Sequence, residues 1–205
     1  MTEPGGITAV LFDLGGVLFH YEPEVRWQAL AEVTGLTATD VQKRLSVSGW
    51  AQACDQGRYR GARAFDAGVR SLGHRLSRER FTHLWVSAFR PDERVLDIAV
   101  RLKAHVQVAL FTNNSDLVRE GLENLWGAVL APFMPRIYSA DLGLTKPDPR
   151  AYLKAAELLG APPERILVID DSPANTASAA SLGFPCIDYR DPEDLLRALA
   201  TCGLS

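Results

Sequence analysis

Two apolar runs of this chain end in acidic residues, and acids at such positions could hold a metal ion. Asp13 follows the apolar run 9–12, and Asp170 and Asp171 follow the run 166–169. In an open parallel sheet, ligands bind at the carboxyl ends of the strands. Carboxylates gathered there repel one another unless a cation lies between them, and Mg²⁺ takes oxygen ligands together with a phosphate. The pattern therefore predicts a Mg²⁺-dependent phosphoryl-transfer enzyme with a carboxylate nucleophile.

Asp13 is the candidate nucleophile. A carboxylate can form an aspartyl-phosphate when it is oriented and desolvated. Gly15 and Gly16 follow it in the sequence, and they leave the backbone free to turn and to approach a ligand closely. The alternative interpretation is an acid that ends a strand and only caps a turn.

Two further segments offer groups that could bind an anion. Thr112 and Asn113 lie where a strand is predicted to give way to a helix N-terminus, which supplies side-chain donors and free N–H groups. Lys146 is followed by two prolines that stiffen the backbone, so its ammonium could balance a phosphate and a carboxylate together. The adjacent acids Asp170 and Asp171 raise each other's pKa unless a metal or a lysine compensates their charge. The alternatives are a helix-capping turn and a surface lysine.

The elements that must position these residues alternate between strand and helix. Short apolar runs predict five strands, at 7–13, 106–112, 137–139, 166–170 and 185–189. Helical patterns separate them, which implies a parallel sheet with right-handed crossovers. Residues 17–21 are predicted to form a second extended piece, as a hairpin or flap over the first strand end. Between about residues 23 and 89, apolar residues recur at helical spacing and predict an insertion of about four short helices.

Composition excludes several classes of function. A formal net charge of −3 over 205 residues gives no electrostatic case for nucleic acid as a partner. No apolar run approaches the roughly 20 residues that cross a bilayer, and residues 1–6 lack the pattern of a signal peptide. The three cysteines lie far apart without a CxxC pair, which favours reduced thiols in a cytoplasmic protein. Nothing in the sequence indicates an oligomeric state.

Taken together, these residues resemble the haloacid dehalogenase-like (HAD) hydrolase superfamily over nearly the whole chain. The segment 13–17 is similar to the first motif of that family, Thr112 to the second, Lys146 to the third and the acidic pair to the fourth, in the same order. The resemblance implies an α/β fold with a Rossmann-like three-layer α/β/α core, a parallel sheet and a small helical cap domain inserted after the first strand. The core would comprise residues 1–20 and 91–205, and the cap residues 21–90.

The resemblance also implies roles for the site residues. Asp13 would be phosphorylated during hydrolysis of a small phosphorylated metabolite. Mg²⁺ would be held by Asp13, the Gly15 carbonyl, Asp170 and Asp171. The phosphate would be held by Thr112, Asn113 and Lys146.

One position departs from the family pattern and leaves alternatives open. Phosphatases of the family usually carry a second Asp two residues after the nucleophile, as a general acid, but here that residue is Gly15. General acid–base help is worth roughly 10²–10⁴-fold in rate, so weak phosphatase activity is expected, with His20 as a candidate replacement acid. Haloacid dehalogenases also lack that Asp and need no metal, although they do not in general keep the paired acids. A catalytically quiet domain that binds a phosphorylated ligand is a third reading.

Overall fold

A five-stranded parallel sheet forms the centre of the fold. A computed structural model describes residues 6–204, so residues 1–5 and 205 of the predicted core lie outside it, as does most of the segment 1–6. In chain order the strands are β1 (Ala9–Phe12), β2 (Phe19–Tyr21), β3 (Phe89–Pro91), β4 (Gln107–Thr112), β5 (Arg136–Tyr138), β6 (Ile166–Asp170) and β7 (Cys186–Asp188). The sheet has the order β5-β4-β1-β6-β7, and each adjacent pair is parallel. The prediction of a parallel sheet is confirmed.

Helices cover both faces of this sheet. In chain order they are α1 (Pro23–Thr34), α2 (Ala38–Gln42), α3 (Trp50–Asp55), α4 (Gly61–Leu72), α5 (Arg78–Val86), α6 (Glu93–Leu102), α7 (Asp116–Leu130), α8 (Ser139–Leu142), α9 (Pro149–Leu159), α10 (Pro173–Ala180) and α11 (Pro192–Thr201). A π-helix occupies Lys43–Val47 and a 3-10 turn Pro163–Arg165. None of the helices that the structure describes is long and apolar enough to span a membrane.

Alternate residues of β1 point to opposite layers, as the two-residue period of a strand requires. Val10 and Phe12 belong to one buried cluster, which also contains apolar residues of α6, α7 and α11. Ala9 and Leu11 belong to a second cluster, which contains apolar residues of α9 and α10. Because β1 is buried on both sides, its sequence is uniformly apolar rather than alternating. The predicted three-layer, Rossmann-like α/β/α fold is confirmed.

The segment between β2 and β3 is helical, but it differs in detail from the prediction. Five α-helices and one π-helix lie there, where about four short helices were expected. The predicted extended piece at 17–21 is present as β2, and a bridge between Gly15 and Phe19 joins it to the turn after β1. Its strand partner is β3, with which it pairs antiparallel, so that Phe19 lies opposite Pro91 and Tyr21 opposite Phe89. β3 itself was not predicted. A three-residue strand that forms through pairing distant in sequence leaves too short a pattern to recognise.

α7 is the helix that follows β4, where the sequence predicts a helix N-terminus after Thr112 and Asn113. Ser115 caps it, and its hydroxyl oxygen accepts a hydrogen bond from the Val118 N–H at 3.4 Å. The helix continues to Leu130 but contains a break at Trp126, where φ is −134° and ψ is 29°. The Trp126 ring packs edge-on against Phe19, with 5.4 Å between ring centroids. This packing joins the kink to the two-stranded sheet.

Candidate active site

The carboxyl ends of three adjacent strands bring the predicted residues together. β1 lies between β4 and β6, so Asp13, Thr112 and Asp170 follow or end neighbouring strands at one edge of the sheet. The Asp13 backbone N–H donates to the Ile169 carbonyl at 2.9 Å, which extends the ladder to the last residue before the site. Backbone pairing between neighbouring strands therefore positions Asp13, Thr112 and Asp170.

Lys146 connects the acids of two strands. Its Nζ lies 2.8 Å from Asp13 Oδ1 and 2.6 Å from Asp170 Oδ2, and it donates to the Phe111 carbonyl at 3.0 Å. An ammonium has three N–H donors, and all three have partners here. The side chain is only 2% exposed. The surface-lysine interpretation is therefore wrong, and Lys146 is a fixed cation within the acidic cluster.

Burial and charge act in opposite directions on these groups. Burial raises the pKa of Asp13 to about 6, and the neighbouring Lys146 charge opposes that rise. Burial would lower the pKa of Lys146, but the charges of Asp13 and Asp170 outweigh it and raise that pKa above its ordinary value. Lys146 is therefore charged at neutral pH, and its charge favours the ionised form of Asp13.

The two acids of the adjacent pair are held differently. Asp170 is fully buried, and its Oδ1 accepts hydrogen bonds from the Ser172 N–H at 3.0 Å and the Asn175 side-chain amide at 2.9 Å. Asp171 is exposed. Its carboxyl group is nevertheless partly shielded from solvent, which raises the pKa of Asp171, and the Asp170 charge adds to the rise. One oxygen of each of Asp13, Asp170 and Asp171 lies within 4.8 Å of the others. The three acids thus form the cluster that the sequence predicted.

Gly16 lets the backbone approach this cluster. Its φ is +86°, in the left-handed region that favours glycine, and a Cβ built there would lie 2.2 Å from Asp171 Oδ2. Any side chain at this position would displace that carboxylate. Gly15 is different, because a Cβ there would meet the Phe89 ring and the Tyr21 Cβ at an ordinary 3.4 Å.

Thr112 and Asn113 both lie at the site, but their side chains make different interactions. The Thr112 hydroxyl oxygen accepts a hydrogen bond from the Asn114 amide at 2.6 Å, so its own hydrogen remains available to an anion. The Asn113 side chain is engaged with the backbone of Lys146. It accepts from the Lys146 N–H and donates to the Lys146 carbonyl, both at 2.8 Å. Asn113 therefore anchors Lys146, and only its backbone N–H remains to contact a phosphate.

A cavity of about 560 Å³ opens above these residues, between the strand ends and the helical insertion. Its floor includes Asp13, Thr112 and Lys146. Its opposite wall comes from the insertion and the two-stranded sheet, with two charged and four aromatic residues. These are Arg26, Asp55, Tyr21, Trp27, Trp85 and Phe89.

Arg26 and Asp55 were not predicted as site residues from the sequence. Arg26 lies four residues before Leu30 on the buried face of α1, and a charge on such a face was the available signal. Asp55 ends α3 and gave no pattern. His20, the candidate acid, is not among the residues lining the cavity. Its side chain is 44% exposed, and its Nε2 lies 3.4 Å from Asp92 Oδ2.

The fold and the site define a class: a Rossmann-like α/β protein with an acidic cluster at the carboxyl ends of its strands. The pattern of the haloacid dehalogenase-like hydrolases matches residues 7–183. The chain belongs to this family of hydrolases.

Two relatives are named as phosphatases. Phosphatase MT3486 of Mycobacterium tuberculosis is 29% identical over 175 residues, which cover 80% of this chain and 79% of that protein. Enolase-phosphatase E1 of Persephonella marina is 45% identical over 65 residues, or 32% of this chain; the match covers 28% of that relative's length. Among solved structures, the HAD family enzyme bt-2542 of Bacteroides thetaiotaomicron superposes with a TM-score of 0.81 at 22% identity, covering 95% of this chain and 99% of that one. At that identity the likeness shows the fold.

Proposed function

We propose that the protein is a Mg²⁺-dependent hydrolase of small phosphorylated metabolites that acts through an aspartyl-phosphate on Asp13. One observation carries the proposal. Lys146 bridges Asp13 and Asp170, with Asp171 and the Thr112 hydroxyl beside them. Acids of a purely structural turn would not need a buried lysine with all its donors engaged.

The donor set fits Mg²⁺. Three carboxylates converge, and one lysine cannot neutralise three negative charges, so a further cation is favourable at the cluster. Mg²⁺ would be held by Asp13, Asp170, Asp171 and the Gly15 carbonyl, all of them oxygen ligands. When bound, the ion would polarise the phosphoryl group and offset its negative charge.

The chain's own residues would perform the transfer as follows. An Asp13 carboxylate oxygen attacks phosphorus, and the bond from phosphorus to the leaving oxygen breaks, with its electron pair going to that oxygen. Lys146 balances the charge of nucleophile and phosphate, and the Thr112 hydroxyl and the Asn113 backbone N–H orient the phosphate. Water then attacks the acyl-phosphate, which releases inorganic phosphate and regenerates Asp13. Gly15 supplies no proton to the leaving group.

Several features support this assignment over the alternatives. The acidic pair Asp170 and Asp171 favours phosphate chemistry over metal-free attack on a haloacid. The presence of Asp13, Thr112, Lys146 and Asp170 together argues against a catalytically quiet binding domain. The two relatives named as phosphatases have the same implication. We also propose that residues 21–90 act as a cap domain over a core of residues 1–20 and 91–205, because the cavity lies between them.

A substrate screen with and without metal tests the proposal. The purified protein is assayed against phosphorylated metabolites and against a panel of 2-haloacids, in EDTA and again after Mg²⁺ is restored. We expect phosphate release that falls at least about tenfold in EDTA and recovers with Mg²⁺. Halide release that persists in metal-free buffer would instead support the dehalogenase alternative.

The absence of an acid at residue 15 predicts a steep dependence of rate on the leaving group. Without protonation, departure is easier for aryl and anomeric oxygens than for primary alkyl oxygens, so the chemical step should slow as leaving-group pKa rises. Gly15→Asp should raise activity toward alkyl phosphates, because its Cβ would meet Phe89 and Tyr21 only at ordinary contact distance. Single-turnover rates over a series of phosphate esters measure both effects. A flat dependence in the natural protein would reveal another acid, and Asp55→Asn would then be the first variant to examine.

A further inference from the structure

The Arg26 guanidinium is buried in the cavity wall. The residue is 4% exposed, and neither Nε nor Nη2 has a partner among the residues that the structure describes. Leaving such a group unsatisfied costs free energy, and the cost is larger for a charged group. Burial also lowers the pKa of Arg26, although an arginine stays charged at neutral pH. A guanidinium in this state is a site for an anion.

Aromatic rings hold the guanidinium in place but leave these donors unused. The guanidinium carbon lies 4.2 Å from the centroid of Trp85 and 5.3–5.6 Å from those of Tyr21, Phe89 and Trp27. Cation–π contacts of this kind stabilise the charge through the ring faces. The planar fork of N–H groups still matches a carboxylate, which it can bind in two parallel hydrogen bonds.

Contacts around Gly15 place Arg26 on the leaving-group side of the cavity. Position 15 is where the family's general acid would meet the leaving oxygen. A Cβ there would touch the Phe89 ring and the Tyr21 Cβ. The rings of Phe89 and Tyr21 also lie against the Arg26 guanidinium. Tyr21 and Phe89 therefore contact both Gly15 and Arg26, and all four residues line the same cavity. A phosphate at Asp13 would direct the rest of the substrate toward this wall.

Asp55 is the charged neighbour of Arg26, and it does not neutralise the arginine fully. No ion pair within 4.0 Å joins them among the described residues, although the charge of each shifts the pKa of the other. Burial raises the pKa of Asp55 to about 7, against the lowering effects of Arg26 and the Ser115 N–H. Near neutral pH this carboxyl is therefore protonated in much of the population and can donate a hydrogen bond to a bound anion.

We propose that Arg26 binds a carboxylate on the leaving group, so that the preferred substrates are phosphate esters of carboxylate-bearing alcohols or phenols. This inference rests on the proposed function, since it assigns the part of the substrate beyond the phosphate. It makes Arg26 a specificity-determining residue rather than a catalytic one.

Paired aryl phosphates test it. Meta- and para-carboxyphenyl phosphate are compared with the carbamoylphenyl phosphates, which have nearly the same shape but are uncharged and carry an NH2 group in place of one oxygen. In the unmodified protein we expect KM to be at least about tenfold lower for the carboxylate in one isomer or both, as for a charge-assisted hydrogen bond. In Arg26→Met that KM ratio should fall to about one. Asp55→Asn, whose side chain is uncharged and can still donate a hydrogen bond, should keep that preference.

A matched control uses Arg63, an exposed arginine that lies 4.8 Å from the Tyr59 ring centroid outside the cavity. Arg63→Met should retain the full carboxylate preference. Thermal unfolding tests whether each variant is folded. If Arg26→Met is unfolded, Arg26→Lys takes its place. Lysine keeps the charge but lacks the planar fork, so this variant should keep part of the carboxylate preference. Equal KM values for both members of each pair in the unmodified protein, or a preference that survives in Arg26→Met, would overturn the proposal.

Calorimetry separates this inference from the proposed function. The same esters are titrated into Asp13→Asn in the presence of Mg²⁺, where binding is measured without turnover. Tighter binding of the carboxylate there supports the role of Arg26 even if hydrolysis is not observed. Mg²⁺-dependent hydrolysis of all the esters without carboxylate preference would instead preserve the proposed function and remove the inference.

Discussion

Asp13→Asn is expected to lower phosphate-ester hydrolysis at least about 10³-fold, on the scale of losing a nucleophile. The amide is nearly isosteric with the carboxylate, but it is uncharged and is a poor nucleophile. Lys146 should stay in place in this variant, because Asp170 Oδ2 and the Phe111 carbonyl still accept its hydrogen bonds. The loss would thus come from the reacting atom rather than from collapse of the site. Single-turnover rates with an aryl phosphate and Mg²⁺ measure it.

Asp188 provides the matched control for this variant. It ends β7 of the same sheet, and it accepts a hydrogen bond from the Thr176 hydroxyl, but it does not line the cavity. Asp188→Asn keeps an acceptor for Thr176 and should leave the rate unchanged. If Asp13→Asn kept more than a few per cent of the activity, Asp13 would not be the nucleophile.

The part of the site on the sheet could be predicted because parallel strands bring their carboxyl ends to one edge. Asp13, Thr112 and Asp170 each follow or end an apolar run, and that run alone defines their place in the fold. The place of Lys146 could not be predicted from an apolar run, because a lysine in a loop belongs to no periodic pattern. The two prolines after it indicated a fixed charge, and the resemblance to a family motif then predicted its place in the site. The structure then shows a reason for it, in the two acids that its charge compensates.

The opposite wall of the cavity could not be predicted in the same way. Arg26 and Asp55 lie on different helices, and only the packing of the insertion brings both to the cavity. The pairing of β2 with β3 is equally non-local, although it closes the insertion. The role of Asn113 was also predicted only in part. An asparagine at this position can either anchor the neighbouring loop or bind phosphate, and the sequence does not distinguish the two roles. Such features depend on contacts between distant segments.

Lys146→Met is expected to lower kcat/KM at least about 10²-fold, the scale of losing one electrostatic stabiliser. The variant removes the cation between Asp13 and Asp170 while keeping an unbranched side chain of similar length. Without that charge, the pKa of Asp13 should rise further from its already raised value, because Lys146 is what opposes the effect of burial. More of the nucleophile would then be protonated at neutral pH. Two effects thus act in the same direction, a weaker nucleophile and an uncompensated phosphate charge.

Stability must be measured beside activity in this variant. Removing one partner of a buried ion pair typically costs about 3–5 kcal/mol, since the other charge stays buried. Thermal unfolding should therefore show a lower midpoint, and kinetics are measured well below it. Lys154→Met is the matched control, because Lys154 is exposed and pairs with Glu157 at 2.6 Å on the surface of α9. A loss no larger than that of the control, in a folded Lys146→Met protein, would show that the buried ammonium holds the two acids in position without taking part in the reaction.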